Sequence, residues 1–75
     1  MATRNPILAQ VGRRIRALRE AKGISQETLA ERSGLHRTYI GGVERGLRNP
    51  SLKSLSRIAK GLSAAVIELF RTDKD

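Results

Sequence analysis

Cysteine is absent from the 75 residues, and with it any disulfide staple or thiolate metal site. Tryptophan is absent too, and there is one tyrosine, one phenylalanine and one histidine. A lone histidine without cysteine cannot build a metal centre. Acids are scarce, seven against fifteen lysines and arginines. The pattern holds no carboxylate pair, nucleophile–base set or phosphate-binding glycine loop, so neither an enzyme nor a cofactor is expected. No apolar run is long enough for a signal peptide or a membrane span, and the expected location is cytoplasmic.

What is present points the other way. A net charge of +8 on so short a chain suggests a polyanionic partner. Hydrophobic residues make up 39% and recur at helical spacing, which argues against disorder. No β-branched alternation appears, so the fold expected is all-α, with five helices in one domain over residues 1–75. A core this small is marginal unless it packs well or a second subunit completes it.

The arm Met1–Asn5 and the tail Thr72–Asp75 have no apolar anchor and are expected to be loose. Asn5 is a good N-cap and Pro6 suits the first helical position. Ile7, Val11, Ile15 and Leu18 then form a stripe, and Gly23 ends the helix. Ser25 caps a second helix that stops at Gly34, and a third runs from about His36 to Arg45 and ends at Gly46. After the loop Arg48-Asn49-Pro50, Ser51 caps a fourth helix with Leu52, Leu55, Ile58, Ala59 and Leu62 buried and Gly61 closing it. Ser63 is expected to cap a short fifth helix, Ala64 to about Arg71.

The stretch Gln26–Gly46 carries the organising pattern. Leu29, Leu35, Ile40 and Val43 converge, while Ala30 and Gly34 are small where two helices would meet. That is the pattern of a helix-turn-helix, placed at residues 25–45, although Ser33 stands where an aliphatic residue is usual. In such a unit the N-terminal part of the second helix meets base edges in the major groove. His36, Arg37, Thr38, Gly41 and Gly42 become the groove-facing set. Arg37 is the main candidate reader, since its planar fork can donate to O6 and N7 of guanine, worth about 1–3 kcal/mol of discrimination. Thr38 can offer a methyl or a hydroxyl. His36 is a helix-start residue near DNA or a neutral surface residue, and Tyr39 contacts the DNA backbone or is simply half-buried. Two glycines inside a helix each cost roughly 1 kcal/mol relative to alanine. Gly41-Gly42 therefore marks a close approach to DNA, a bend, or drift at a tolerant surface.

Gln26, at the start of the second helix, is placed to meet phosphate, and Arg48, Asn49, Ser51 and Lys53 surround the start of the fourth. Glu44, an acid on a DNA-facing element, needs neutralising, and Arg19 is the expected partner; the alternative is a solvated Glu44 worth little. Val66, Ile67, Leu69 and Phe70 cannot all face one small core. The region of about 62–71 is read as a dimerisation surface, with Ile67 and Phe70 at its centre and Leu47 and Leu62 beside them. A two-fold dimer would set two reading helices roughly 34 Å apart, matching a palindromic operator in double-stranded DNA.

LAERSGLHRTYIGGVERG followed by NPSLKSLSRIAKGL resembles the Xre/lambdoid-repressor helix-turn-helix family over about residues 7 to 70. Within it, RTYIGGVERGLRNPSLKSL is most similar to the controller proteins of restriction–modification systems. The resemblance implies a lambda-repressor-like fold and a homodimeric regulator that activates and represses its own operon. It implies a phosphate contact for Gln26, base contacts for Arg37 and Thr38, and a structural Arg19–Glu44 pair. It also implies a contact with the RNA polymerase sigma subunit through Glu27 and Glu31; the alternative is that these complement the helix dipole and pair locally. The reading helix lacks the glutamines of phage repressors, so their operators cannot be transferred. A second reading is an antitoxin or phage-type repressor of the same fold whose last helix binds a partner protein.

Overall fold

In this computed structural model residues 5–72 are described; the arm through Arg4 and the last tail residues, Asp73–Asp75, lie outside them. The order is α1 (Pro6–Ala21), α2 (Gln26–Ser33), α3 (Arg37–Glu44), α4 (Leu52–Gly61) and a 3-10 helix (Val66–Phe70), with no strand among the described residues. Each α-helix begins on a side-chain cap that satisfies an otherwise unpaired N–H. Asn5 Oδ1 accepts from the Ile7 amide at 3.0 Å, Ser25 Oγ from Thr28 at 3.0 Å and Ser51 Oγ from Ser54 at 3.0 Å. At α3 the acceptor is His36 Nδ1, 3.2 Å from the Thr38 amide.

All four α-helices end in one kind of closure, a left-handed residue followed by an amide that bonds back to a carbonyl five positions earlier. Ile24 bonds to Arg19, Leu35 to Ala30, Leu47 to Gly42 and Ala64 to Ala59, at 3.3, 3.0, 2.9 and 2.9 Å. In the first three the left-handed residue is Gly23, Gly34 or Gly46; in the fourth it is Ser63, at φ +55°. Gly61 therefore does not close α4. A Cβ on Gly61 would lie 2.7 Å from Ser33 Oγ and 3.1 Å from Leu29 Cδ1, so this glycine lets α4 touch α2. With that position committed to packing, the left-handed role passes to Ser63, which caps no helix.

The last segment also departs from the expected fifth α-helix. Val66–Phe70 is a five-residue 3-10 helix without a side-chain hydroxyl or amide cap. Two β-branched residues in so short a piece give little reason for an α-turn to nucleate, and the tighter 3-10 bond pattern is usual for such lengths. Its Leu69 is fully buried and seals the base of the domain.

The core is formed by Val11 and Ile15 of α1, Leu29 and Ala30 of α2, Ile40 and Val43 of α3, Leu55, Ile58 and Ala59 of α4, with Leu62 and Leu69. Two stripes stop short of their expected ends: Ile7 is half-exposed and Leu52 is 77% exposed, because each sits in the first turn, beyond the reach of the packed layer. Leu62 is 0% exposed and belongs to the core of a single chain, so it offers no surface to a second one. Gly12, in the middle of α1, fixes the spacing to α3. A Cβ there would collide with the Val43 carbonyl oxygen and lie 2.6 Å from that of Glu44.

Ser33 Oγ is buried with no hydrogen-bond partner. Two outcomes follow for urea denaturation. Ser33→Ala removes an unpaired hydroxyl and should stabilise the domain by about 1 kcal/mol. Gly12→Ala should destabilise it by about 2 kcal/mol or more, despite alanine's better helix propensity, because backbone oxygens cannot move aside as side chains can.

Candidate nucleic-acid interface

The starts of α2 and α3 open onto one shallow cleft of about 600 Å³, lined by Arg19, Ser25, Gln26, Glu27, Arg37, Thr38, Gly41 and Arg45. Its floor is an ion pair. Arg19 Nε and Nη2 donate to the two carboxylate oxygens of Glu44 at 2.6 and 3.0 Å, and Arg19 Nη1 donates to the Ile24 carbonyl at 2.9 Å. Gln26 Nε2 adds a third donor to Glu44, at 3.0 Å. The two charged side chains are only 11% and 2% exposed. The pair links α1 to α3 and Gln26 draws in the first residue of α2, so all three helices meet on one carboxylate.

The hydrogen bonds that Arg19 donates to Glu44 raise the Arg19 pKa above its ordinary value, against an opposing desolvation from burial and with smaller help from the charges of Glu44 and Glu20. A raised folded-state pKa means that this contribution is complete below the ordinary arginine value and lost only as pH rises beyond it. Arg19 is therefore a permanent cation under working conditions.

Arg37 and Thr38 stand exposed at the start of α3, beside the His36 cap. His36 itself is exposed, with Nδ1 taken up by the Thr38 amide. Tyr39 is half-buried against the core. Gly42, expected to face the groove, is covered: a Cβ on it would lie 2.8 Å from Arg48 Cγ. The left-handed turn at Gly46 folds Arg48 back across α3, so the close approach at Gly42 is to this arginine's stem. Gly41 lies beneath Gln26 and Arg45 in the same way, with its added Cβ at 3.4 and 3.2 Å.

At the start of α4, Arg48, Asn49, Ser51 and Lys53 are all exposed. Ser51 Oγ is engaged as the cap and donates to Ser54 Oγ at 3.2 Å. Arg45 was not expected in the cleft, although its spacing was legible: Arg37, Gly41 and Arg45 follow at i, i+4, i+8 on one helix face. Ile67 is 72% exposed, Leu47 and Phe70 are exposed in part, and Glu27 and Glu31 are both on the surface. Glu27 Oε2 lies 3.9 Å from Arg37 Nη1.

Two capped helices around a tight left-handed turn, with an exposed arginine at the start of the second, define a helix-turn-helix DNA-binding protein. The helix-turn-helix family model matches residues 15–68, and the chain belongs to that family of DNA-binding transcription regulators. It is 52% identical over 56 residues to the control protein C.SmaI of Serratia marcescens, covering 75% of this chain and 67% of that one. The crystal structure of the restriction–modification controller protein C.AhdI from Aeromonas hydrophila superposes with a TM-score of 0.86 at 53% identity, over 88% of this chain and 100% of that one. The wild-type controller protein C.Esp1396I gives a TM-score of 0.82 at 44% identity, over 88% and 86% of the two chains. Crystal structures of its variants change an arginine, the threonine and tyrosine next to it, and a serine fifteen positions beyond the tyrosine.

Truncating Arg19 would leave Glu44 buried with Gln26 as its one remaining donor. Arg19→Ala should lower unfolding free energy by about 3–5 kcal/mol. Glu44→Gln combined with Arg19→Met should recover much of that loss in a denaturant titration.

Proposed function

We propose that the chain is a cytoplasmic, dimeric controller-type regulator that binds a palindromic operator and both activates and represses its own operon. The observation that carries this reading is the Arg37-Thr38-Tyr39 run at the start of α3, with Arg37 and Thr38 exposed beside a cation-lined cleft. An arginine, threonine and tyrosine occur consecutively among the positions changed in C.Esp1396I, and this chain has that run once. Arg37 and Thr38 read bases, with His36 as a further contact at the groove edge. Gly42 contributes by accommodating Arg48 rather than by touching a base. Gln26, Tyr39, Arg48, Asn49, Ser51 and Lys53 position the backbone, the free amides at the starts of α2 and α4 adding donors. Fifteen positions after Tyr39 comes Ser54, whose hydroxyl sits in the first turn of α4 and joins this set.

Ile67 and Phe70 of the 3-10 helix, with Leu47 and the exposed Leu52, supply the apolar surface of a dimer. Glu31, exposed on the outer side of α2, is the better candidate for a sigma-subunit contact, because Glu27 faces Arg37 instead. Charge reversal at Glu31 should then reduce activation while operator binding stays unchanged.

Selection of bound sites from random duplex DNA should return a palindrome with half-sites about one helical turn apart, preferred over bulk DNA about a thousandfold or more. Arg37→Ala should cost about 1–3 kcal/mol on that site and relax preference at one base pair. Ile67→Glu, at a solvent-exposed position, should convert a sedimenting dimer into a folded monomer. Sites with no symmetry, or a wild-type monomer at micromolar concentration, would overturn the dimeric reading.

A further inference from the structure

We propose that Glu27 is a specificity-determining residue that restrains Arg37 from binding phosphate on non-cognate DNA. This rests on the reading of Arg37 as a base reader. Glu27 lies in the first turn of α2, and its carboxylate reaches across the cleft to within 3.9 Å of Arg37 Nη1 on α3. Both side chains are largely exposed, so each is available to an approaching duplex. The other cations around the cleft are differently disposed. Arg19 is committed to Glu44 beneath it, and Arg45 stands at the far end of α3. Glu27 is thus the acid that faces Arg37 at the mouth of the cleft.

The position is unfavourable for simple DNA binding. In the helix-turn-helix geometry the start of the first helix lies against the phosphate backbone, where a carboxylate repels. While Arg37 stays with Glu27, the two charges neutralise each other and the pair adds nothing to polyanion affinity. If Arg37 turns to a phosphate, Glu27 is left uncompensated beside the same backbone. Glu27 approaches Arg37 at Nη1 alone, so the Nε–Nη2 edge can still donate two directed hydrogen bonds to a guanine with the pair in place, whereas turning the guanidinium to a phosphate breaks it. The pair is exposed and long, so its restraint is modest and opposes the turn to phosphate without holding Arg37 rigid. Discrimination is increased by lowering the affinity for wrong partners, not by adding a contact to the right one.

An acid in the first turn also complements the helix dipole, but that role is indifferent to Arg37. The test separates the two. Binding of the full chain is measured by fluorescence anisotropy across a salt series, on the selected site and on a scrambled duplex of equal composition. The proteins are wild type, Glu27→Gln, Arg37→Gln and the double variant. Glu27→Gln is expected to tighten the scrambled duplex about two- to fivefold, the range open to an exposed ion pair. It should steepen the slope of log K against log salt there by about 0.9, the signature of one more phosphate contact. The selected site should gain less, so the preference ratio falls. In the Arg37→Gln background the Glu27 change should leave the scrambled-duplex slope unaltered.

A slope change that persists without Arg37 would overturn the restraint and assign the effect to direct repulsion of phosphate. Weaker binding of the selected site by Glu27→Gln would overturn it in favour of a direct base contact by Glu27. If Arg37→Gln leaves site preference intact, the reading of Arg37 itself falls, whatever Glu27 does.

Discussion

The domain depends on one buried carboxylate. Glu44 is the charged residue buried among the described positions, and it receives three hydrogen bonds from two side chains. A buried acid with a missing partner is costly, so the three groups must assemble together or not at all. That requirement fixes α1 against α3 through Arg19, and α2 against α3 through Gln26. The relative placement of α2 and α3 is what a helix-turn-helix must hold constant, since a reading helix displaced by an ångström loses its bidentate contacts. Apolar packing beneath could tolerate a small slide. A bidentate ion pair with a third donor tolerates much less, because hydrogen bonds weaken steeply with distance and angle.

The same network changes the meaning of Gln26. Its amide was expected to be free for phosphate, and half of its donor capacity faces inward instead. The side chain is therefore held in place on the lining of the cleft before any DNA arrives. Prior orientation lowers the entropy lost on docking. Arg48 is arranged similarly, its stem lying across Gly42. Rigid placement of polar groups by the core is the common theme of this surface.

The fold was legible where physics is local. N-caps at Asn5, Ser25 and Ser51, the proline at the first position of α1, and the glycines after α1, α2 and α3 are short-range signals that act within one turn. The Arg19–Glu44 pairing was legible for a different reason: an acid on a cationic face is an anomaly that demands a partner. What could not be read depended on distances between helices. Gly61 looked like a helix terminator, yet its role is set by Ser33 and Leu29 on α2. Leu62 was readable as part of the buried face of α4 but not as excluded from the dimer surface, and Leu69, counted with Ile67 and Phe70 as surplus, is buried in the core as well. Gly12 left a signal that went unread, since a glycine in the middle of a sixteen-residue helix is unfavourable unless something comes close.

The site shows the same division, and it bears on how this surface can discriminate. Arg37 and Thr38 were readable as the exposed start of a reading helix, because position in the motif fixes their direction. The neighbourhood of Arg37 was not readable, since Glu27 is ten positions away in sequence and adjacent only through the α2–α3 crossing. A net charge of +8 attracts any duplex, and attraction alone gives a sponge for DNA rather than a regulator. Selectivity must come from terms that differ between sites. One such term is the guanine edge itself. Another, on the reading proposed above, is the hold of Glu27 on Arg37, which opposes a turn to phosphate and leaves the guanine-facing edge free. In a chain so rich in cations the acids are placed where they constrain arginines: Glu44 holds Arg19 beneath the cleft, and Glu27 stands against Arg37 at its mouth.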